Sequence, residues 1–202
     1  MGRAASVIGE AVRQYRPANP MAPLDGSGYT NSFNAAFDAD PALSFNKPAV
    51  VGRYLFYLLA DATTLAVGDY IAAPQSTYFV GSMEDLRPPV VLRTNAVLSL
   101  VRPEESVRAG LAPPGGDSLS SEVTLFAGWP SAMLIAGGGG HGDVDLPGDA
   151  GMGSWQILLP ALFGIAIRGS DILVDQTGLR HVVTAAELSP MGWRIDAQQE
   201  AA

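Results

Sequence analysis

The sequence predicts a mainly all-β protein: two tandem small antiparallel β-barrel or sandwich modules, preceded by a short N-terminal helix and an extended arm. Three observations carry this expectation. A hairpin pattern, Gly68–Leu86 (GDYIAAPQSTYFVGSMEDL), returns downstream as Gly169–Leu188 (GSDILVDQTGLRHVVTAAEL), and internal self-similarity outranks any single motif in assigning architecture. Short apolar runs separated by turn residues surround both copies. A stretch rich in proline, glycine and serine stands between them.

The first element is expected at residues 3–16, where Val7, Ile8, Ala11, Val12 and Tyr15 fall at helical spacing with Ser6 as a cap. A helix this short needs a surface to pack on, its own or a neighbour's. From Pro17 to Pro48 prolines break any long element, and the segment reads as an extended arm pinned by isolated aromatics. Val7, Val12, Tyr15, Phe33, Phe37 and Phe45 are the candidate interface residues of this region, because aromatic and apolar anchors in an arm require apolar surface.

The first module is expected over residues 49–103. Val50–Leu59 reads as a strand, the hairpin turns at Pro74-Gln75-Ser76, and Val90–Leu92 and Val97–Val101 supply two more strands. Residues 104–121 read as the inter-module linker. The second module follows over residues 122–202, with strands at Val123–Phe126, Ala132–Ile135, Trp155–Leu159, Ile165–Ile167 and Trp193–Ile195, and with its hairpin turning at Asp175–Gly178. A glycine-rich loop, Gly137–Gly151, interrupts it and carries His141, a further interface candidate.

Composition limits the function. The 202 residues are 48% hydrophobic and only 16% charged, so the chain has enough apolar material for real cores. Net charge is −8, with eleven arginines and one lysine and no basic stripe. Sequence-specific nucleic-acid binding is therefore not expected, although a ring of subunits surrounding DNA is compatible with an acidic lining. With no cysteine there is no thiolate nucleophile, disulfide or zinc ribbon. The longest apolar run, Ile157–Ile167, contains a proline and is too short to span a bilayer as a helix. The opening MGRAAS fits a myristoylation pattern, but a two-position motif is too permissive to outweigh a plain helix start.

No catalytic constellation is expected, and no cofactor or metal. His141 with Asp143, Asp145 and Asp149 lacks the alternation and closing glutamate of a calcium loop. The glycines are followed by no phosphate-binding signature, and no GxSxG elbow accompanies either histidine. Because Asp69 and Asp171, Glu84 and Glu187, and Tyr78 and His181 occupy matching positions in the repeat, they read as scaffold. Asp171 is expected to accept backbone hydrogen bonds at a turn, so that Asp171→Ala costs about 1 kcal/mol.

The hairpin, with its Gly-Asp-x-Ile/Leu, turn and Thr-Tyr-Phe-Val (Gly68–Val80) or Arg-His-Val-Val (Asp171–Val183), resembles the barrel hairpin of tailed-phage head-closure, or stopper, proteins of the neck. The strings AVRQYRP (Ala11–Pro17), TYFVGSMEDLRPPVVLRTN (Thr77–Asn95) and VVTAAELSPMGWRI (Val182–Ile195) are similar to a family of uncharacterised phage and prophage structural proteins. The resemblance implies a virion part at the head–tail junction or tail, formed in the host cytoplasm and built of small β-barrels. It implies assembly as a homo-oligomeric ring against other phage proteins (portal or adaptor, tail terminator or tube), with no cofactor and no membrane. A baseplate or fibre-attachment protein is the neighbouring alternative, and a tandem-barrel ligand-binding protein or enzyme a more distant one. One departure stands out: stopper proteins usually carry one barrel, and this sequence predicts two modules.

Overall fold

The structure, a computed structural model, describes residues 5, 7–38, 54–60, 64–103, 122–135, 153–161 and 164–200. Among these residues the chain forms twelve strands: β1 (Glu10–Tyr15), β2 (Tyr29–Asp38), β3 (Leu55–Ala60), β4 (Tyr70–Ala72), β5 (Thr77–Ser82), β6 (Val90–Arg93), β7 (Ala96–Pro103), β8 (Glu122–Ile135), β9 (Ser154–Leu159), β10 (Ile172–Asp175), β11 (Arg180–Ser189) and β12 (Gly192–Gln199). They close into two antiparallel barrels, ordered β1-β2-β3-β6-β5-β4 and β7-β8-β9-β12-β11-β10. The expected all-β fold of two tandem modules is therefore what the chain adopts.

Four expectations are corrected, the smallest being that Ile165–Ile167 forms no strand and belongs to the connection between β9 and β10. A helix over residues 3–16 is not what the described residues show: Ala5, Val7 and Ile8 lie in a single helical turn that the Gly9 amide closes on the Ala5 carbonyl, and Glu10–Tyr15 is strand β1. Its inward residues are Val12 and Gln14, at a period of two. The helical reading relied on Ala11, which faces out. Pairing with β2 on one side and β4 on the other supplies the ladder that overrides a weak helical preference.

Tyr29–Asp38, expected in the extended arm, is instead β2, which pairs with β1 and β3. Finally, Ala96–Pro103, assigned to the first module, belongs to the second barrel, where β7 pairs with β8 and β10. The junction between barrels thus falls at Thr94-Asn95. Residues 104–121, expected as the inter-module linker, connect β7 to β8 within the second barrel and lie outside the described residues, as does the loop 137–151.

The two barrels match position by position. Ile71 faces Tyr78 across β4–β5 as Leu173 faces His181 across β10–β11. Val80 faces Val91 as Val183 faces Ala197, and Phe56 faces Val91 as Trp155 faces Ala197. Phe37 faces Leu58 as Met133 faces Ile157. Even the β-bulge recurs, between Val80 and Ser82 in β5 and between Val183 and Ala185 in β11. Bulges sharpen strand curvature, so their recurrence at one position reflects the bend that a six-stranded barrel needs there.

Inside the first barrel, Val12, Ala35, Leu58, Ile71, Tyr78, Val80 and Val91 form one core, lined further by Phe33, Phe37 and Phe56. The second barrel is filled by Leu98, Leu100, Phe126, Ile157, Leu173, Val183 and Ile195 among others. Its core is continuous with Tyr70, Phe79 and Leu92, which project outward from the first barrel. Apolar burial therefore runs across the junction, and the two barrels are packed together as well as tethered.

Candidate functional site

Each barrel carries the same charged clamp. In the first, Arg16 at the end of β1 grips Asp69 ahead of β4 with Nε to Oδ1 and Nη2 to Oδ2, both at 2.8 Å. In the second, Arg102 in β7 grips Asp171 ahead of β10 with Nε to Oδ1 at 2.7 Å and Nη2 to Oδ2 at 2.8 Å. The carboxylates are each only 2% exposed while the arginines reach solvent. Both guanidinium Nη2 groups also donate to a carbonyl of the loop ahead of the aspartate, Thr64 in one barrel and Ala166 in the other.

Backbone geometry repeats around the clamp. The Ala66 and Arg168 amides donate to the carboxylates, and the Val80 and Val183 amides donate to the carbonyls of Asp69 and Asp171. The residue before each aspartate has positive φ: Gly68 at 90° and Ser170 at 70°. Hydrogen bonding to the carboxylate holds each arginine above its ordinary pKa, against desolvation. The expected turn-stabilising role of the aspartates is met, with an arginine partner that the hairpin comparison did not include. A signal for it was present, since Arg16-Pro17 and Arg102-Pro103 repeat at the ends of matching strands. In the first barrel the buried Gln14 amide adds a bond of 2.6 Å to Asp69; Leu100 takes its place in the second barrel.

The junction is the second built surface. Tyr70 is fully buried between the barrels, with its ring 6.0 Å from that of Trp129 and its hydroxyl 2.7 Å from the Pro130 carbonyl. Burial pushes the phenol pKa well above its ordinary value. Asn95 exchanges two hydrogen bonds with the Met133 backbone through its side-chain amide. The Trp129 indole and the Ala127 amide both donate to the Pro20 carbonyl, so the β1–β2 connection reaches across to β8.

The barrel interiors differ at one end. In the first barrel, Tyr78 stacks on Phe37 at 4.0 Å and meets Phe56 edge-on. In the second, the corresponding residues are His181, Met133 and Trp155. Here both His181 ring nitrogens and the Trp155 Nε1 are buried without a hydrogen-bond partner. Asp175 Oδ2 lies 3.6 Å from His181 Nε2, beyond hydrogen-bond range. Burial pushes the Asp175 carboxyl up, but bonds from the Thr177 hydroxyl and amide and the Leu179 amide, with the nearby His181 ring, outweigh it and hold it below its ordinary pKa.

The residues singled out as interface candidates separate. Val12 is buried in the first barrel core, with Phe33 and Phe37 packed against it, so these side chains serve the interior. Tyr15 packs at the junction, and Val7 is 82% exposed beside the exposed Ile8. Phe45 and His141 lie outside the described residues. Glu84 pairs with the neighbouring Arg87 on the surface. Among the described residues no group of three or more metal-ligating side chains comes together, and no helix is long and apolar enough to cross a membrane. Comparison with protein-family models, with curated proteins and with solved structures returned no match.

Proposed function

We propose that the chain is a structural component of a tailed-phage virion, a head–tail connector of the head-closure kind that works through protein–protein contacts and without catalysis. The observation that carries this reading is where the polar side chains go. Arg16, Asp69, Arg102 and Asp171 are spent on fixing barrel corners, and Tyr70 and Trp129 on fixing one barrel to the other. A rigid pair of barrels suits a part that transmits position within an assembly. The resemblance of the hairpins to neck proteins supplies the setting: a ring at the head–tail junction, adjoining portal or adaptor on one side and tail terminator or tube on the other. The acidic chain surrounds DNA there without gripping it.

A second reading, a tandem-barrel ligand-binding protein, is favoured by one observation, the unpartnered His181 and Trp155 nitrogens inside the second barrel. Cross-linking mass spectrometry of purified particles separates the two. The virion reading expects the protein in stoichiometric amounts with cross-links to junction or tail components, and its absence from mature particles overturns that reading.

A further inference from the structure

Where the two barrels meet, at Thr94-Asn95, they leave an open cleft of about 480 Å³, the volume of a small-molecule site. Its walls are the β4–β5 turn of the first barrel, the segment from Arg93 to Val97, and Gln176 in the β10–β11 turn of the second barrel. Hydrogen bonds fix these walls to one another. The Thr94 amide and hydroxyl donate to the Thr77 carbonyl at 2.8 and 2.9 Å, and Gln176 Oε1 accepts the Val97 amide at 2.8 Å. Asn95 is held in turn by the Met133 backbone. A cleft braced in this way needs little ordering when a ligand enters.

The groups that the bracing leaves over are of one chemical kind. Four of them keep donors with no hydrogen-bond or ionic partner among the described residues: the Arg93 guanidinium, the Ser76 hydroxyl, and the side-chain NH₂ groups of Gln75 and Gln176. Arg93 is the one charged side chain of the lining, and it stands in a chain of net charge −8. Its backbone is held from both sides, by pairing with Tyr78 and by the 2.7 Å bond from its amide to the Tyr54 carbonyl. The repeated framework does not require a charge there. Gln199 faces His181 in the second barrel where Arg93 faces Tyr78 in the first.

We propose that this cleft binds a small molecule through an oxyanion group, a carboxylate or a phosphate, received by Arg93 with Ser76, Gln75 and Gln176 as further donors. A guanidinium offers two parallel N–H groups that match two oxygens of either anion. The acidic chain opposes a polyanion, so the ligand is a small molecule and not a nucleic acid. Because the walls come from both barrels, an occupied site ties one barrel to the other. This site goes beyond the assembly role proposed above and does not depend on it.

Calorimetric titration of the full chain with succinate, inorganic phosphate and adenosine monophosphate, at constant ionic strength, tests this. At least one probe is expected to saturate one site per chain with a Kd of about 1 mM or below and to raise Tm as its concentration rises. Saturation by succinate assigns the carboxylate, and saturation by either of the other two the phosphate. Arg93→Gln is expected to weaken binding about tenfold or more, and Arg93→Lys, which keeps the charge and loses the fork, by less. Arg194→Gln removes the same charge from an exposed position outside the lining and should leave binding unchanged. Circular-dichroism melts without probe check that each variant folds as the wild type does. In amide NMR spectra the saturating probe is expected to shift Ser76, Arg93 and Gln176. No saturable binding of any probe, binding that survives Arg93→Gln, or an equal loss with Arg194→Gln overturns the proposal and leaves the virion reading standing.

Discussion

The Tyr70 hydroxyl donates a 2.7 Å hydrogen bond to the Pro130 carbonyl, linking β4 of one barrel to β8 of the other at the centre of a shared apolar cluster. Tyr70→Phe keeps the ring and removes only this bond. It is expected to cost about 1 kcal/mol, read as a lower urea midpoint. The loss falls on the coupling between barrels, so the transition is also expected to broaden as the two halves unfold less cooperatively. An unchanged curve argues that packing alone joins them.

The clamps make a paired prediction. Asp171→Ala is expected to cost about 3 kcal/mol, more than the 1 kcal/mol that a lone turn bond implies, because it strands the Arg168 amide and a partly buried guanidinium. Asp69→Ala should cost at least as much, since Gln14 also loses a partner. Chemical denaturation of both variants checks the equivalence of the two corners.

Arg180 bridges β11 to two carboxylates, Glu122 at the start of β8 and Glu200 after β12, at 2.6 and 2.8 Å. The hydrogen bond from Arg180 holds Glu122 below its ordinary pKa. A carboxylate with a depressed folded pKa contributes stability above its unfolded value of about 4.3 and loses it as pH falls through the folded one. Arg180→Gln should therefore lower Tm by a constant amount near neutral pH, and the gap to wild type should shrink below about pH 4. A gap independent of pH would sink this account.

Two glycines with positive φ should respond differently to alanine. At Gly192 a Cβ would lie 2.3 Å from the Leu159 carbonyl oxygen and 3.0 Å from Pro160 Cα, both backbone atoms, so Gly192→Ala is expected to cost about 3 kcal/mol. Gly178 has φ of 86° but open space around it, so Gly178→Ala should cost about 1 kcal/mol, for conformation alone. Thermal melts of the two variants compare the cost of a backbone contact at the β11–β12 turn with that of conformation alone at the β10–β11 turn.

Matched interior positions allow reciprocal substitutions. His181→Leu removes two buried ring nitrogens that make no hydrogen bond, together with the 3.6 Å approach of Nε2 to Asp175, and is expected to change stability by no more than about 1 kcal/mol. Tyr78→His breaks the Phe37 stack and brings polar atoms into an aromatic core, so it should cost about 2–3 kcal/mol. Equal and opposite effects would instead point to a functional occupant near His181.

The hairpin repeat was legible because its period and turn chemistry are local: the ladders set Tyr78 opposite Ile71 and His181 opposite Leu173, as the sequence comparison pairs them. What was not legible was closure. β1 and β7 are the strands that seal each barrel, and they were misread for opposite reasons. Val12 and Gln14 alternate over too few residues to outvote a helical count, and a polar Gln14 does not announce a buried strand face. Ala96–Pro103 reads correctly as a strand, but its partners β8 and β10 are remote in sequence, so adjacency to β6 assigned it to the wrong module. The arginines of the clamps were missed with them, because each belongs to the sealing strand or the residue just beyond it. Long-range pairing leaves no periodic trace in either segment.

Closure also bears on solubility at high local concentration. Proteins that gather many copies in a small space risk pairing through unsatisfied strand edges, which template β-aggregation. In each barrel the first strand bonds to both the second and the fourth, so neither barrel ends in an open edge. Among the described residues, the barrel walls therefore present side chains to any other molecule, and recognition there can be tuned by substitution without exposing a strand edge.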